Sequence, residues 1–384
     1  MNTPLRPRSR LPDVGTSIFT VMSRLAAEHG AINLSQGFPD FDCDPVLAEL
    51  VASWFGRGHN QYAPMAGVAA LREALARTIE RSYGARYDPG EEITVTAGAT
   101  EALFSAITAL VSPGDEVVLL EPCYDSYVPV VRLHGGTPVF VTLRPPDYKV
   151  DWQAVKRALT GRTRMIVINT PHNPSGMVFD GDDLRALAAL LDGTDVLVLS
   201  DEVYEHVIFD GREHASVCRL PELAARSCVV SSFGKTWHTT GWKLGYAAAP
   251  AALSAEIQRV HQFVTFASHT PTQLAYAAFV RDRRDYADLA RFYQAKRDLF
   301  LHLLEDSRFR PVPCRGTYFQ LLDYSGITTA PDAEFAVSLL RDHGDASIPT
   351  SAFLYASDAP RVLRFCFAKR DETLHHAAER LRAV

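Results

Sequence analysis

No apolar run in this chain approaches the ~20 residues that a membrane-crossing helix requires, so it offers no candidate helical span. Paired cysteines are missing too: Cys43, Cys123, Cys218, Cys228, Cys314 and Cys366 are scattered without a CxxC spacing. Neither a disulfide framework nor a zinc site is supported, and reduced thiols in a cytoplasmic protein are the expectation. Positive charge is not in excess. The formal net charge is −6, which gives no general attraction to nucleic acid or to an anionic membrane surface. Any anion bound here must be held by a local site. The opening stretch MNTPLRPRSRLPDVG lacks the apolar core of a secretory signal and reads as a flexible basic arm. Of the 13 histidines only His375 and His376 are neighbours, in a helical pattern that makes them surface or core residues rather than ligands. There is no internal repeat and no low-complexity segment.

What is present begins with length: 384 residues can bury a large core, in two domains or in one large and one small. From about residue 90 short apolar runs alternate with helical patterns. EEITVTAG, EVVLLEP, TPVFVTL, RMIVINTP, DVLVLSDE and CVVSSF are each rich in Val, Ile or Leu. Near-continuous apolar strands separated by helices mean a parallel sheet covered on both faces. This is the doubly wound α/β class, in which ligands sit outside the carboxyl ends of the strands. The residues just after these strands should therefore converge on one edge. They are Gly98-Ala99-Thr100, Glu121 to Tyr124, Asn173, Asp201 to Tyr204 and Ser232 to Lys235. After about residue 285 the pattern changes to one long amphipathic helix (DYADLARFYQAKRDLFLHLLED), short strands (GTYFQLLD, RVLRFCF) and two further helices (PDAEFAVSLLRDHG, DETLHHAAERLRA). The expected division is 46–285 as the large α/β domain and 286–384 as a smaller α+β domain. The irregular, proline-containing residues 1–45 form an arm and pack on the smaller domain.

The stretch SSFGKTWHTTGWKLGY, residues 231–246, carries Lys235 and Lys243. Its GKT matches the tail of a Walker A loop, but that motif needs a glycine five residues before Gly234, and Val229 stands there. A second anion site is open at Gly98-Ala99-Thr100, where a helix N-terminus offers N–H groups, a dipole and a hydroxyl. The same residues also fit an ordinary helix start capped by Thr100. Taken singly, Asp201 fits a solvated acid, Tyr204 a core tyrosine, Asn173 a turn residue and Tyr124 a packed aromatic.

Taken together, these residues match the atoms of pyridoxal 5′-phosphate. Its pyridine nitrogen needs a carboxylate (Asp201) to remain an electron sink. Its ring oxygen needs donors (Asn173, Tyr204), its ring a stacking partner (Tyr124) and its phosphate a cradle (Gly98, Ala99, Thr100, Ser232, Lys243). Its aldehyde needs a lysine, for which Lys235 is the candidate. The motifs SSFGKTWHTTGWKLGY, DEVYE, NTPHNPSG, AGATEAL, NQYAPMAG and RFCFAKR, in this order and spacing, resemble the class I aminotransferases of fold type I. VGTSIFTVMSRLAAEHGAINLSQGFPDF and GTYFQLLDYS resemble most the methionine and kynurenine aminotransferases. The resemblance runs from about Leu11 to Leu381.

The resemblance implies a mostly parallel seven-stranded sheet between helices in the large domain. It implies that Lys235 bonds the aldehyde and then carries the proton, with Asp201 at the pyridine nitrogen, Asn173 and Tyr204 at the ring oxygen, and Tyr124 stacked on the ring. Tyr62 in QYAPMAG matches a tyrosine that reaches the phosphate of a second subunit, which implies a homodimer. Gly37 and Arg364 match positions that hold the substrate carboxylate, Arg364 by a bidentate grip that lysine cannot reproduce; Asn173 belongs to the same substrate-binding set. Lys243 departs from the pattern, since many relatives carry arginine there. The implied reaction is a two-step exchange of an amino group between an amino acid and a 2-oxo acid. Phe19, Tyr62, Phe266, His269 and Phe353 are candidate walls for an apolar, thioether or aromatic side chain: methionine, phenylalanine, tyrosine or kynurenine rather than aspartate. The alternatives are a cysteine-conjugate β-lyase on the same scaffold, and a non-catalytic regulator, for which no DNA-binding segment is present.

Overall fold

The computed structural model describes residues 8–282 and 286–384; the first seven residues of the basic arm and the 285 boundary lie outside them. Seven strands form the central sheet: β1 Ile93–Thr96, β2 Glu116–Glu121, β3 Thr137–Thr142, β4 Thr163–Asn169, β5 Leu197–Asp201, β6 Ser227–Ser232 and β7 Gly245–Ala248. Their spatial order is β1-β7-β6-β5-β4-β2-β3. β2 to β6 pair in parallel, and β7 runs antiparallel to both β1 and β6. The sheet is thus mostly parallel and seven-stranded. Its first six strands are those expected from the apolar runs, whereas the seventh, GYAA, is too short and too small-residued to announce itself.

Side chains alternate across a strand, and here both alternations end in core. Val118, Ile166, Val198 and Val229 face one layer, packed with Leu71, Leu75, Leu184, Leu187 and Tyr276. Val117, Val167, Leu199 and Val230 face the other, with Leu103, Ile107, Val128 and Ile257. Two apolar faces are why these strands read as continuous runs.

A separate core gathers Tyr293, Phe300, Phe309, Phe335, Leu339, Phe365 and Leu374 with Met22, Ala26 and Leu34 of the N-terminal segment. A four-stranded sheet crosses it, in the order Ile348–Pro349, Val362–Cys366, Phe319–Asp323, Arg310–Pro311. The N-terminal segment is more regular than its prolines suggested. Ile18–His29 is a helix, started by the Ser17 side chain accepting from Thr20 N and ended by Gly30 at φ 60°. The strand Ile32–Asn33 then pairs in parallel with Asp345–Ala346. The long C-terminal-half helix spans Ala287–Leu303. PDAEFAVSLLRDHG is a helix over Asp332–Ser338 that continues as a π-helical turn, Leu339–His343. Among the described residues no helix is long and apolar enough to cross a membrane.

Register decides where the site forms. Asn169 lies opposite Asp201, Asp201 opposite Val230, and Ser232 opposite Gly245, which also faces Thr96. Because β7 is antiparallel, its first residue sits at the carboxyl edge of its neighbours, and the preceding Lys243 is delivered to that edge. The approach is close. A Cβ on Gly245 would lie 2.7 Å from Ser231 O, 2.8 Å from Ala99 N and 2.9 Å from Gly98 C. All three are backbone atoms and cannot swing aside, so Gly245→Ala should destabilise the chain by about 1–3 kcal/mol in urea unfolding; an unchanged midpoint would refute the close approach.

Candidate active site

A cavity of about 370 Å³ opens at the carboxyl edge of β4, β5 and β6. Gly37, Gly98, Ala99 and Thr100 line it, as do Tyr124, Asn173, Asp201 and Tyr204, and so do Ser232, Lys235, Lys243 and Arg364. Phe19 also lines it. The other proposed wall residues do not: Phe353 is fully buried behind Arg364, and Phe266 and His269 belong to an outer surface. Tyr62 is 84% exposed, with its ring edge-on to Phe266 at 5.4 Å, and takes no part in the cavity of its own chain.

Lys235 sits on the single helical turn Phe233–Thr236 that follows β6. Its surface faces the cavity rather than open solvent, and its amine donates to the Gly37 carbonyl at 3.1 Å. Burial lowers its pKa to about 8, and the nearby Arg364 and Lys243 charges push the same way against Asp201. Removal from water disfavours the charged form, so an appreciable share of the amine is neutral at moderate pH.

Asp201 ends β5 and is 4% exposed. Burial raises its pKa to about 6, against the hydrogen bonds that favour the carboxylate. Tyr127 Oη donates to Oδ2 at 2.6 Å and Val203 N to Oδ1 at 3.3 Å. Asn169, one strand over, donates its Nδ2 to the Asp201 carbonyl at 2.8 Å and accepts the Asn173 N–H at 2.7 Å. The strand ends are thereby tied to one another across the sheet edge.

Arg364 lies mid-strand in Val362–Cys366 and is 1% exposed. Nη1 donates to Asn173 Oδ1 at 2.7 Å and Nη2 to the Ser35 carbonyl at 2.8 Å, while Nε is buried without a partner. The Phe319 ring lies 3.8 Å from Cζ, a cation–π contact. Burial lowers its pKa to about 10, which leaves it charged at neutral pH. Asn173 spends its carboxamide oxygen on Arg364, so what it offers to a ligand is its NH₂.

The anion end is built from backbone. Gly98, at φ 80°, starts the helix Ala99–Leu110 and no side chain caps it; Thr100 is inside the first turn rather than at the cap. Its hydroxyl instead shares a hydrogen bond with Tyr124, whose pKa burial raises to about 12. Lys243 adopts φ 53° and lies against Gly98, where a Cβ would sit 3.4 Å from its Nζ. Uncapped N–H groups, a helix dipole and an adjacent ammonium together favour a bound anion here. Tyr204 is buried edge-on to Tyr318 at 5.1 Å, and burial raises its pKa.

The sequence reading missed several of these groups. Asn169 left a signal, a polar residue closing an apolar strand. Tyr127, Tyr318 and the Ser35 carbonyl left none, because long-range packing brings them in. Among the described residues no group of His, Cys, Asp or Glu is arranged to hold a metal ion.

The Tyr127 bond has a measurable consequence. In the ligand-free chain the Asp201 carboxyl should titrate near pH 6 by carbon NMR. Tyr127→Phe removes a donor that favours the carboxylate and should raise the midpoint by about one unit. A midpoint that stays or falls would contradict the assigned bond.

Known proteins share this sequence pattern and fold. A family profile described as "Aminotransferase class I and II" matches residues 29–381. The methionine aminotransferase of Escherichia coli K12 is 52% identical, with all of both chains covered. A crystal structure from E. coli, reported with a methionine aminotransferase function, superposes with a TM-score of 0.97 at 52% identity, over 99% of this chain and 100% of that one. A probable N-succinyldiaminopimelate aminotransferase of Mycobacterium tuberculosis is 40% identical over 97% of each chain. Kynurenine–oxoglutarate transaminase 3 of Mus musculus is 35% identical over 97% of this chain and 89% of its own. With this profile spanning most of its length and relatives of up to 52% identity covering it end to end, the chain belongs to the class I and II aminotransferases.

Proposed function

We propose that this aminotransferase moves the amino group of an apolar, thioether or aromatic amino acid, namely methionine, phenylalanine, tyrosine or kynurenine, to a 2-oxo acid. Its cofactor in this reading is pyridoxal 5′-phosphate. The single observation that carries it is a lysine of lowered pKa and an arginine with an unpartnered N–H in one buried cavity, with Asp201 between the strand ends. The donor set fits the chemistry of the cofactor. Asp201 would hold the ring nitrogen, and the Asn173 NH₂ with the Tyr204 hydroxyl would hold the ring oxygen. Tyr124 would cover a ring face. The N–H groups of Ala99 and Thr100 after Gly98, with Ser232 and Lys243, would hold the phosphate.

When bound, the cofactor supplies an aldehyde for the amino group and a ring that takes up the electron pair left by the departing α-proton. The rest falls to the chain's own residues. Arg364 and the backbone at Gly37 hold the α-carboxylate, Arg364 through a fork that Asn173, Ser35 and Phe319 already orient. The Lys235 amine, neutral in part because it is desolvated, takes the α-proton and later returns a proton. Asp201, which accepts the Tyr127 proton, would hold its negative charge toward the ring nitrogen.

The preference for uncharged side chains is supported by the cavity wall. Phe19, Phe38, Leu103 and Phe319 line it, and its three cations, Lys235, Lys243 and Arg364, are each taken by the roles above. A distal carboxylate would find no further cation among the described lining residues. The same reading includes a homodimer in which Tyr62 reaches the phosphate of the other copy. Support comes from its exposure on a surface with Phe55, Phe263, Val264 and Phe266, all at least 46% exposed. It also includes the division into 1–45, 46–285 and 286–384, supported by Met22, Ala26 and Leu34 packing in one core with Tyr293, Phe335 and Leu374, and a cytoplasmic location, supported by six unpaired cysteines.

The test is a panel of amino donors against several 2-oxo acids with the cofactor-loaded protein. Methionine and the aromatic amino acids should exceed aspartate by at least about tenfold in kcat/KM, a difference of ~1.4 kcal/mol, and Lys235→Ala should abolish turnover. Aspartate as the best donor would overturn the substrate reading; turnover without Lys235 would overturn the mechanism.

A further inference from the structure

Tyr318 does not line the cavity, yet it is fully buried against two groups that do. Its hydroxyl donates to the Gly37 carbonyl at 2.7 Å. Its ring also stands edge-on to the Tyr204 ring at 5.1 Å. The ring packs on the same glycine: a Cβ on Gly37 would lie 3.5 Å from Tyr318 Cε2 and 2.7 Å from Phe319 Cζ. Gly37 is thus gripped at its carbonyl and at its Cα by two successive side chains, Tyr318 and Phe319.

The backbone leading into Tyr318 is unusual, with Thr317 at φ 66°. A β-branched residue rarely adopts that conformation, and such outliers concentrate where function over-determines the backbone. The turn is held from both sides: Thr317 N–H donates to the Val207 carbonyl at 2.9 Å, and its Oγ1 accepts from Phe319 N at 3.2 Å.

We propose that Tyr318 is a positioning residue that holds the Gly37 segment at the cavity edge. A phenol has one proton, and Tyr318 gives its own to the Gly37 carbonyl, which also accepts from the Lys235 amine at 3.1 Å. Residues 318 and 319 thereby fix the backbone that meets the substrate carboxylate. That link to substrate binding rests on the aminotransferase reading above; the hold on Gly37 stands without it.

Tyr318→Phe removes the hydroxyl and keeps the ring. In the full-length protein without cofactor, amide hydrogen exchange over residues 36–40 should quicken by about tenfold, with exchange in the sheet unchanged. In the loaded enzyme, KM for the amino donor should rise by more than kcat falls, since Gly37 acts on substrate binding. Exchange over residues 36–40 unmoved by Tyr318→Phe would overturn the proposal and reduce Tyr318 to packing. An absence of cofactor absorbance in the wild type would count against the functional reading instead, and the exchange measurement would still decide the hold on Gly37.

Discussion

Two desolvated cations, Lys235 and Arg364, share one cavity with a third, Lys243, at its exposed side, and the rest of the structure is arranged around keeping them there. Lys235 and Arg364 are both desolvated, and the Arg364 charge further lowers the affinity of Lys235 for a proton. Asp201 is the one acid among the described lining residues. Arg364 solves its problem with neutral partners: the Asn173 oxygen, the Ser35 carbonyl and the Phe319 ring. Lys235 solves it by giving up its proton more readily. The pair therefore divides into a fixed charge for a substrate carboxylate and a labile amine for chemistry.

The sheet makes that crowding possible. Parallel strands end together, so Asn169, Asp201 and Ser232 reach one edge from three neighbouring strands. The antiparallel β7 adds its entrance rather than its exit, which puts Lys243 beside Gly98. The helix after β1 meets them with an uncapped N-terminus. The second core closes the cavity from the other side through Arg364, Phe319 and the Gly37 segment, so neither core alone forms the site.

Much of this was legible in the residues. Six strands of the sheet showed because both of their faces are buried, which turns alternation into a continuous apolar run. β7 did not show, since four small residues wedged between β1 and β6 carry no pattern. The helix Ile18–His29 was hidden by the prolines before it, although Ser17 and Gly30 mark its ends. Strand ends gave Asp201, Tyr204, Ser232 and Lys235 as cavity residues by topology alone. Arg364 could be singled out only by resemblance: an arginine in a strand reads as a surface residue, and here it is enclosed by partners from residues 35, 173 and 319. Tyr127 and Tyr318 were illegible for the same reason, as their roles depend on groups 74 and 281 positions away.

The central claim is that burial singles out Lys235 among the cavity cations as the amine that bonds the cofactor. Borohydride reduction of the protein loaded with pyridoxal 5′-phosphate, followed by peptide mass spectrometry, tests it directly. The account predicts a cofactor-derived mass on the peptide containing Lys235 and on no other lysine. A label on Lys243, or one spread over several lysines, would contradict it.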